Sequence, residues 1–159
     1  PGAYYFKTLS SDEKFFNFSC DISIGINDSP TVAYTGFQIA YYMGFSKVYM
    51  IGVDQTYRAE RGRNGELISH KNIKCDYFSN KYRNDETDHL FVPQVFEMNR
   101  AFLSVDYHIK NSDIDMEVFN ATRGGALEVF PRVNLDEIFK ELEVSKNENS
   151  SCCTDKNEQ

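Results

Sequence analysis

Polar side chains that could bind a ligand cluster in short segments that follow apolar ones. The first segment, 27–31, includes Asn27 and Thr31, and a hydroxyl beside the free N–H groups of a helix N-terminus can hold a phosphate. In the second segment Asp54 ends an apolar run and Tyr57 follows it, and a buried carboxylate is costly unless it is paired or contacts a ligand. The simpler interpretation is that Thr31 caps a helix and that Asp54 bonds main-chain N–H groups of its own turn. We favour the cap at Thr31 and weigh the two roles of Asp54 equally.

A third segment, 120–125, brings Asn120 and Thr122 close in sequence to the pair Gly124 and Gly125. Adjacent glycines allow a ligand to approach the main chain closely, although a tight turn is the alternative interpretation. Because ligands of parallel α/β sheets bind beyond the carboxyl ends of the strands, we expect all three segments to lie at one edge of a sheet. The sequence contains neither a Walker loop nor a Gly-x-Gly-x-x-Gly motif.

His89 is the best candidate for a general base. It comes shortly before Pro93, where a helix is predicted to begin, so its imidazole would lie near the same sheet edge. With an ordinary pKa of about 6.5, a histidine can accept a proton at neutral pH. A solvent-facing loop histidine is the alternative interpretation. We expect His108 to be a packing residue, and the sequence indicates no functional role for His70.

The composition excludes several classes of protein. A chain of 159 residues is by default a single domain, and its 41% hydrophobic and 14% aromatic residues exclude disorder over most of the length. The net charge of −7 argues against a general nucleic-acid binder, because such a protein needs a basic face to neutralise phosphates. No apolar stretch approaches the ~20 residues that span a membrane.

Metal and disulfide chemistry is not indicated by the sequence. Cys152 and Cys153 are adjacent, no Cys-x-x-Cys is present, and the histidines have no zinc spacing with the cysteines. We therefore expect reduced thiols, no metal ligands and no resident cofactor.

The order of apolar segments predicts two β-α steps. Residues 20–26 alternate as in a strand, 31–43 form a helix that ends at Gly44, and 47–54 read as a strand covered on both faces. This order predicts a βαβ unit with a right-handed crossover.

The second half of the chain supplies the other β-α step. An amphipathic helix follows Pro93, a parallel strand covers 116–120, a short extended piece covers 127–130, and Asn134 caps a last helix. The sequence therefore predicts an α/β fold with a Rossmann-like, mostly parallel sheet and flanking helices.

Composition divides the chain into an aromatic-rich lead-in over 1–19, an α/β domain over 20–144 and a polar tail over 145–159 that we expect to be disordered. Residues 55–88 are polar, and a loop of that length in a compact domain is usually a lid or a binding loop, or is disordered in isolation. Because the chain opens at Pro1, we expect it to be a piece of a longer protein.

Three motifs in register resemble the MptE-like domain family: 31–54, 88–93 (Asp-His-Leu-Phe-Val-Pro) and 120–133 (Asn-Ala-Thr-Arg-Gly-Gly and onward). The likeness covers most of 20–139. That family is named for archaeal 6-hydroxymethylpterin diphosphokinases and also occurs in bacterial proteins of surface-polysaccharide synthesis. The first motif is more distantly similar to bacterial sialyltransferases of glycosyltransferase family 42. Those enzymes transfer sialic acid from a CMP donor without a metal and use a histidine base.

The resemblance implies roles for individual residues. Thr31 matches a threonine that contacts the donor nucleotide. Asp54 and, after a one-residue shift, Tyr57 match residues near the donor phosphate, and His89 matches the general base. Those families begin with a nucleotide-binding half that carries a Gly-x-Gly-Pro-Ser type loop, which this sequence lacks. The chain thus resembles the C-terminal portion of a larger protein.

The function that the resemblance implies is sugar transfer in cell-surface polysaccharide or lipopolysaccharide biosynthesis by a metal-independent, sialyltransferase-like domain. A nucleotide-sugar would be the co-substrate and a carbohydrate the acceptor, with Asn27, Asn120, Thr122, Gly124 and Gly125 completing the nucleotide-binding set. One alternative is a pterin diphosphokinase that requires ATP and Mg²⁺. Another is a non-catalytic half-domain that needs its missing N-terminal portion or a partner, and rings of the lead-in such as Phe16 and Phe18 would then cover the surface facing that half.

The expected partners are a nucleotide-sugar and a carbohydrate acceptor. We expect no nucleic-acid partner and no transmembrane segment, and a homo-oligomer is compatible with the sequence. The expected location is cytoplasmic, with peripheral association at the inner face of the membrane as the alternative.

Overall fold

The structure, a computed structural model, describes residues 5–10, 16–57, 59–69 and 92–151, the last eight of these by their main chain alone. The described elements are, in chain order, β1 (Thr8–Leu9), β2 (Ile26–Asn27), α1 (Val32–Tyr42), β3 (Lys47–Met50), β4 (Ala59–Arg61), β5 (Leu67–Ser69), α2 (Val95–Asn111), β6 (Glu117–Asn120) and α3 (Leu135–Ser151). Within these ranges, no helix has both the length and the apolar character needed to cross a bilayer.

The described strands pair two by two. β1 pairs with β2 and β3 pairs with β6, both in parallel, whereas β4 and β5 are antiparallel. The chain is therefore a mixed α/β protein with short parallel strands, as predicted at the level of fold class. β2 and β3, which flank α1, have different partners among the described residues, so the finer prediction of one Rossmann-like sheet stays a prediction.

The hydrophobic core lies on one face of the β3–β6 pair. Met50 and Val118 belong to the same buried cluster as residues of α1 and α2. Within that cluster Phe37, Phe102 and Phe130 pack ring against ring, with centroids 5.6 to 6.3 Å apart. Such tilted and edge-on contacts are favoured between aromatic rings. Both helices thus cover one side of these strands.

The boundaries of α1 are those that the sequence predicts. Thr31 is the N-cap, and its hydroxyl oxygen accepts the N–H of Ala33 at 3.4 Å. At the other end, Gly44 has a φ of +80°. The N–H of Phe45 bonds the carbonyl of Ala40 at 3.1 Å across that glycine, which closes the last turn.

The strands on either side of α1 are shorter than predicted. Of 20–26 only Ile26 belongs to β2, because the residues before it form a turn in which the Asp21 carboxylate accepts the N–H of Ser23 at 2.9 Å. β3 ends at Met50, and Ile51 is 59% exposed. The prediction that 47–54 is covered on both faces is therefore wrong, since α1 and α2 cover only one face.

The polar segment 55–88 begins with a hairpin rather than an extended loop. β4 and β5 flank a turn in which the N–H of Gly62 bonds the carbonyl of Glu66 at 2.9 Å and Gly65 has a φ of +80°. An Asn-Gly pair is the strongest short signal for a hairpin, and the sequence carries one at 64–65. Residue 58 and residues 70–91 lie outside the described part of the chain.

In the second half of the chain, α2, β6 and the start of α3 lie where the sequence predicts them. α2 begins shortly after Pro93, with Phe102 and Val105 fully buried, and β6 pairs in parallel with β3.

The carboxamide oxygen of Asn134 accepts the N–H of Asp136 at 2.9 Å and so caps α3. α3 continues through Ser151, seven residues into the segment predicted to be a tail. No strand forms over 127–130, where only the single bridge between Asn120 and Arg132 extends the pairing.

Part of the aromatic lead-in belongs to this core. Phe16 and Phe18 pack against the ring of Tyr34, whose hydroxyl donates to the carbonyls of Phe16 and Asn17 at 2.9 Å each. Nε2 of His108 donates to the same Phe16 carbonyl at 3.0 Å, which confirms His108 as a packing residue. The hypothesis that rings of the lead-in cover a surface facing a missing half stays a prediction.

Candidate functional site

An open cleft of about 560 Å³ lies where two of the predicted segments meet the start of α2. Its lining comes from the loop between β2 and α1, from the segment after β3, and from the first residues of α2: Asp28, Ser29, Pro30, Tyr57, Pro93, Gln94 and Met98. Two of the three segments singled out in the sequence thus meet at the start of α2. A cleft of this volume is within the range that holds small molecules and cofactors.

The first wall of the cleft is fixed by its own hydrogen bonds. The Asp28 carboxylate accepts the N–H of Ser29 at 2.8 Å, and the Ser29 hydroxyl donates to the carbonyl of Thr31 at 3.0 Å. Thr31 is next to the lining residues, and its hydroxyl caps α1. The capping role is confirmed, and a contact between Thr31 and a nucleotide stays a prediction.

Asn27 lies beneath that wall and is buried. Its main-chain N–H and carbonyl both bond the carboxamide of Gln38 on α1, at 3.0 and 2.9 Å. The Gln38 oxygen also accepts the N–H of Ser19 at 2.9 Å. Gln38 is fully buried and was not singled out in the sequence; its only signal there is a polar residue within an apolar helix.

The second wall turns sharply after β3. The Asp54 carboxylate accepts the N–H of Thr56 at 2.9 Å, which is the turn-forming role considered for it. Gln55 follows with a φ of +53°, a left-handed conformation that is uncommon for a residue other than glycine. This turn carries Tyr57 into the cleft, where its hydroxyl lies 4.0 Å from the sulfur of Met98.

The third predicted segment supports the second from behind and does not line the cleft. The Thr122 hydroxyl accepts the N–H of Val53 at 3.1 Å, and the Asp54 carbonyl accepts the N–H of Ala126 at 2.6 Å. Asn120 is fully buried, with its carboxamide donating to the carbonyl of Leu127 at 2.9 Å and accepting from the N–H of Thr122 at 3.0 Å. These contacts are intramolecular, and a direct ligand contact from these residues stays a prediction.

Arg132 organises the turn that contains Gly124 and Gly125. Its guanidinium donates to their carbonyls at 2.8 and 3.1 Å, and also to the carbonyls of Thr122 and Leu127. It bonds the Glu128 carboxylate at 2.7 Å, and these hydrogen bonds hold the pKa of Glu128 below its usual range. Arg132 was not predicted from the sequence, because nothing in its local pattern distinguishes it from a surface arginine.

The start of α2 forms the floor of the cleft between the two walls. Gln94 is the N-cap, and its side chain makes no capping hydrogen bond. The first N–H groups of α2 therefore lack a side-chain cap at the point where the helix meets the cleft. The carbonyl of Pro93 accepts the N–H of Arg61 at 2.9 Å, which attaches the β4–β5 hairpin to this region.

His89, the predicted base, lies outside the described residues. The sequence places it four residues before Pro93, a separation that an extended chain spans in at most about 14 Å. In the described part of the chain, no group of three or more His, Cys, Asp and Glu side chains is arranged to hold a metal ion.

Comparison of the chain with protein-family models, curated proteins and solved structures yields no match. The resemblance to the MptE-like family rests on the three sequence motifs and stays a prediction.

Proposed function

We propose that the cleft binds a nucleotide-activated sugar and that the domain transfers the sugar to a carbohydrate hydroxyl. The observation that carries the proposal is the convergence of the β2–α1 loop, Tyr57 and the start of α2 around one cleft of about 560 Å³. Apolar groups of Pro30 and Met98 suit the base or the sugar ring. The uncapped N–H groups at the start of α2 suit the phosphate.

The proposed reaction assigns a proton and a leaving group to named residues. His89 accepts the proton of the acceptor hydroxyl as its oxygen bonds the anomeric carbon of the donor sugar. The bond from that carbon to the phosphate oxygen breaks, and its electron pair remains on the departing nucleotide. The hydroxyl of Tyr57 and the N–H groups of α2 stabilise the charge that develops there. Thr31 contributes indirectly, because its hydroxyl holds the start of α1.

The first experiment is a calorimetric titration of the chain with CMP, UDP, GDP and ATP, each with and without Mg²⁺. We expect metal-independent binding of CMP or UDP. Met98→Trp should abolish it, because the larger side chain fills the cleft. Leu103→Trp is the matched control, since Leu103 is on the same helix, 52% exposed and outside the cleft lining.

Other outcomes of that titration separate the alternatives. Binding of ATP alone, with a strict requirement for Mg²⁺, would favour the pterin diphosphokinase. No binding of any nucleotide would contradict a donor site in this cleft.

The role of His89 needs a separate assay of sugar transfer at saturating donor. We expect His89→Gln to lower turnover by about 100-fold or more, as the loss of a general base does. His70→Gln is the control, since no role is assigned to His70. Unchanged turnover in His89→Gln would remove His89 from the mechanism.

A further inference from the structure

A smaller cavity of about 150 Å³ adjoins the cleft at Gln94, which lines both. Its lining comes from the turn of the β4–β5 hairpin and from the first turn of α2: Arg61, Gly62, Arg63, Gly65, Gln94, Phe96 and Glu97. Two arginines thus face the start of a helix in a protein whose net charge is −7. None of these residues except Gln94 lines the larger cleft.

The two arginines are held in place without a carboxylate. Arg61 is anchored by its main-chain bond to Pro93 at 2.9 Å, and its guanidinium donates to the carbonyl of Gly65 at 3.2 Å. The guanidinium of Arg63 lies over the ring of Phe96, 5.3 Å from its centroid. Neither arginine forms an ion pair within the ranges that the structure describes. Both side chains therefore keep donors that an anion can use.

Two acidic side chains at this cavity, Glu97 in its lining and Glu66 in the hairpin turn, are already engaged. Glu97 is paired with Arg100 at 2.6 Å, one turn further along α2. The carboxylate of Glu66 accepts the N–H of Asn64 at 2.9 Å within the hairpin turn. These contacts reduce the repulsion that either carboxylate would exert on an incoming anion.

We propose that Arg61 and Arg63 form a phosphate subsite for the ligand that occupies the larger cleft. The inference rests on the proposed function and adds to it the residues that bind the charged part of the nucleotide. The nucleoside or sugar would lie against Pro30 and Met98, with the Tyr57 hydroxyl next to its bond to the phosphate. The phosphate would lie beyond Gln94, where planar guanidinium groups can bind its oxygens in pairs.

Titrations of four proteins test this subsite: the unmodified chain, Arg61→Gln, Arg63→Gln and the control Arg123→Gln. Arg123 pairs with Asp136 at 2.8 Å and does not line either cavity. The probes are inorganic pyrophosphate, UDP, CMP and the nucleosides uridine and cytidine. We expect each subsite variant to bind pyrophosphate and the nucleotides about 10-fold or more weakly, with affinity for the nucleosides unchanged. Affinity of the unmodified chain for the nucleotides should also fall as salt is added.

The outcomes distinguish this subsite from the proposed function. Arginine-dependent binding of pyrophosphate without any binding of nucleotides or nucleosides would support the subsite and contradict the donor cleft. Nucleotide binding that is equal in all four proteins would support the cleft and overturn the subsite. Absence of binding by every probe would overturn both.

Discussion

Gly125 lies directly against the main chain of Asp54. A Cβ atom on Gly125 would lie 2.6 Å from both the Cα and the carbonyl oxygen of Asp54, and Gly125 has a φ of +86°. The next residue, Ala126, donates its N–H to the same carbonyl at 2.6 Å. The turn after β6 therefore fixes the position of the turn after β3, which carries Tyr57 into the cleft.

Gly125→Ala should destabilise the protein and disturb the cleft. The new methyl group meets main-chain atoms that cannot move aside, and the left-handed backbone adds strain, so we expect a loss of about 2 to 4 kcal/mol in the free energy of unfolding. Denaturant unfolding measures that loss, and the titrations described above measure the effect on ligand binding.

Gly124→Ala is the matched control. Gly124 has a similar φ of +75°, but a Cβ atom there would meet no atom within 4 Å. It should lose only the strain of the left-handed backbone, about 1 kcal/mol. Equal destabilisation by the two variants would show that the contact with Asp54 contributes nothing.

The elements that the sequence predicted well are those whose signals are local. Thr31 and Gly44 mark the ends of α1 by their own chemistry, and the apolar stripe that includes Phe102 and Val105 marks α2. The parallel strand β6 was also recognisable from its apolar run. The β4–β5 hairpin also has a local signal, the pair Asn64 and Gly65. The hairpin was not predicted, because the residues around that pair are polar and are typical of a loop.

The parts that the sequence could not predict depend on contacts between distant segments. Whether one face or both faces of β3 are buried depends on which other elements pack against it. The residues of β3 alone do not determine this. Arg132 bonds carbonyls from several residues of one turn, and Gln38 bonds the main chain of Asn27 and Ser19. From the neighbouring sequence alone, neither side chain can be distinguished from an ordinary polar residue. For the site, all three segments were expected at one edge of a sheet. Two of them line the cleft, whereas 120–125 supports the second from behind, a role that was not predicted.

Gln38→Met should destabilise the protein by about 2 to 4 kcal/mol. The methionine has a similar volume, but it leaves the buried N–H groups of Ser19 and Asn27, and the carbonyl of Asn27, without their partners. Denaturant unfolding measures the loss. Val32→Ala on the same helix is the control, because Val32 is 85% exposed and should change stability by less than about 0.5 kcal/mol. A value for Gln38→Met close to that of the control would mean that water replaces the lost hydrogen bonds.

Stability should decline in alkali because of Tyr34. Burial raises the pKa of Tyr34 well above its usual range, so the folded protein favours the neutral phenol. A tyrosine in the unfolded chain ionises near a pKa of about 10. The stabilisation that Tyr34 contributes to the folded state is therefore complete below that pH and is lost as the pH rises above it. Unfolding free energies measured from about pH 8 to about pH 11 should show this decline. The decline should be smaller in Tyr34→Phe than in Tyr5→Phe, which alters a tyrosine that is 91% exposed. Parallel curves for the two variants would exclude Tyr34 as the cause.

The folded protein should lose stability in acid because of Glu128. Hydrogen bonds from Arg132 lower the pKa of Glu128 in the folded state, so the stabilisation is complete above the ordinary carboxyl pKa of about 4.3 and is lost as the pH falls through the lower folded value. Glu128→Gln should lower the midpoint of thermal unfolding at about pH 6 and flatten its decline towards about pH 3. Glu143→Gln, at an exposed position on α3, is the control and should retain the full decline. A decline of the same steepness in Glu128→Gln would show that the carboxylate of Glu128 is not the group whose protonation releases the turn held by Arg132.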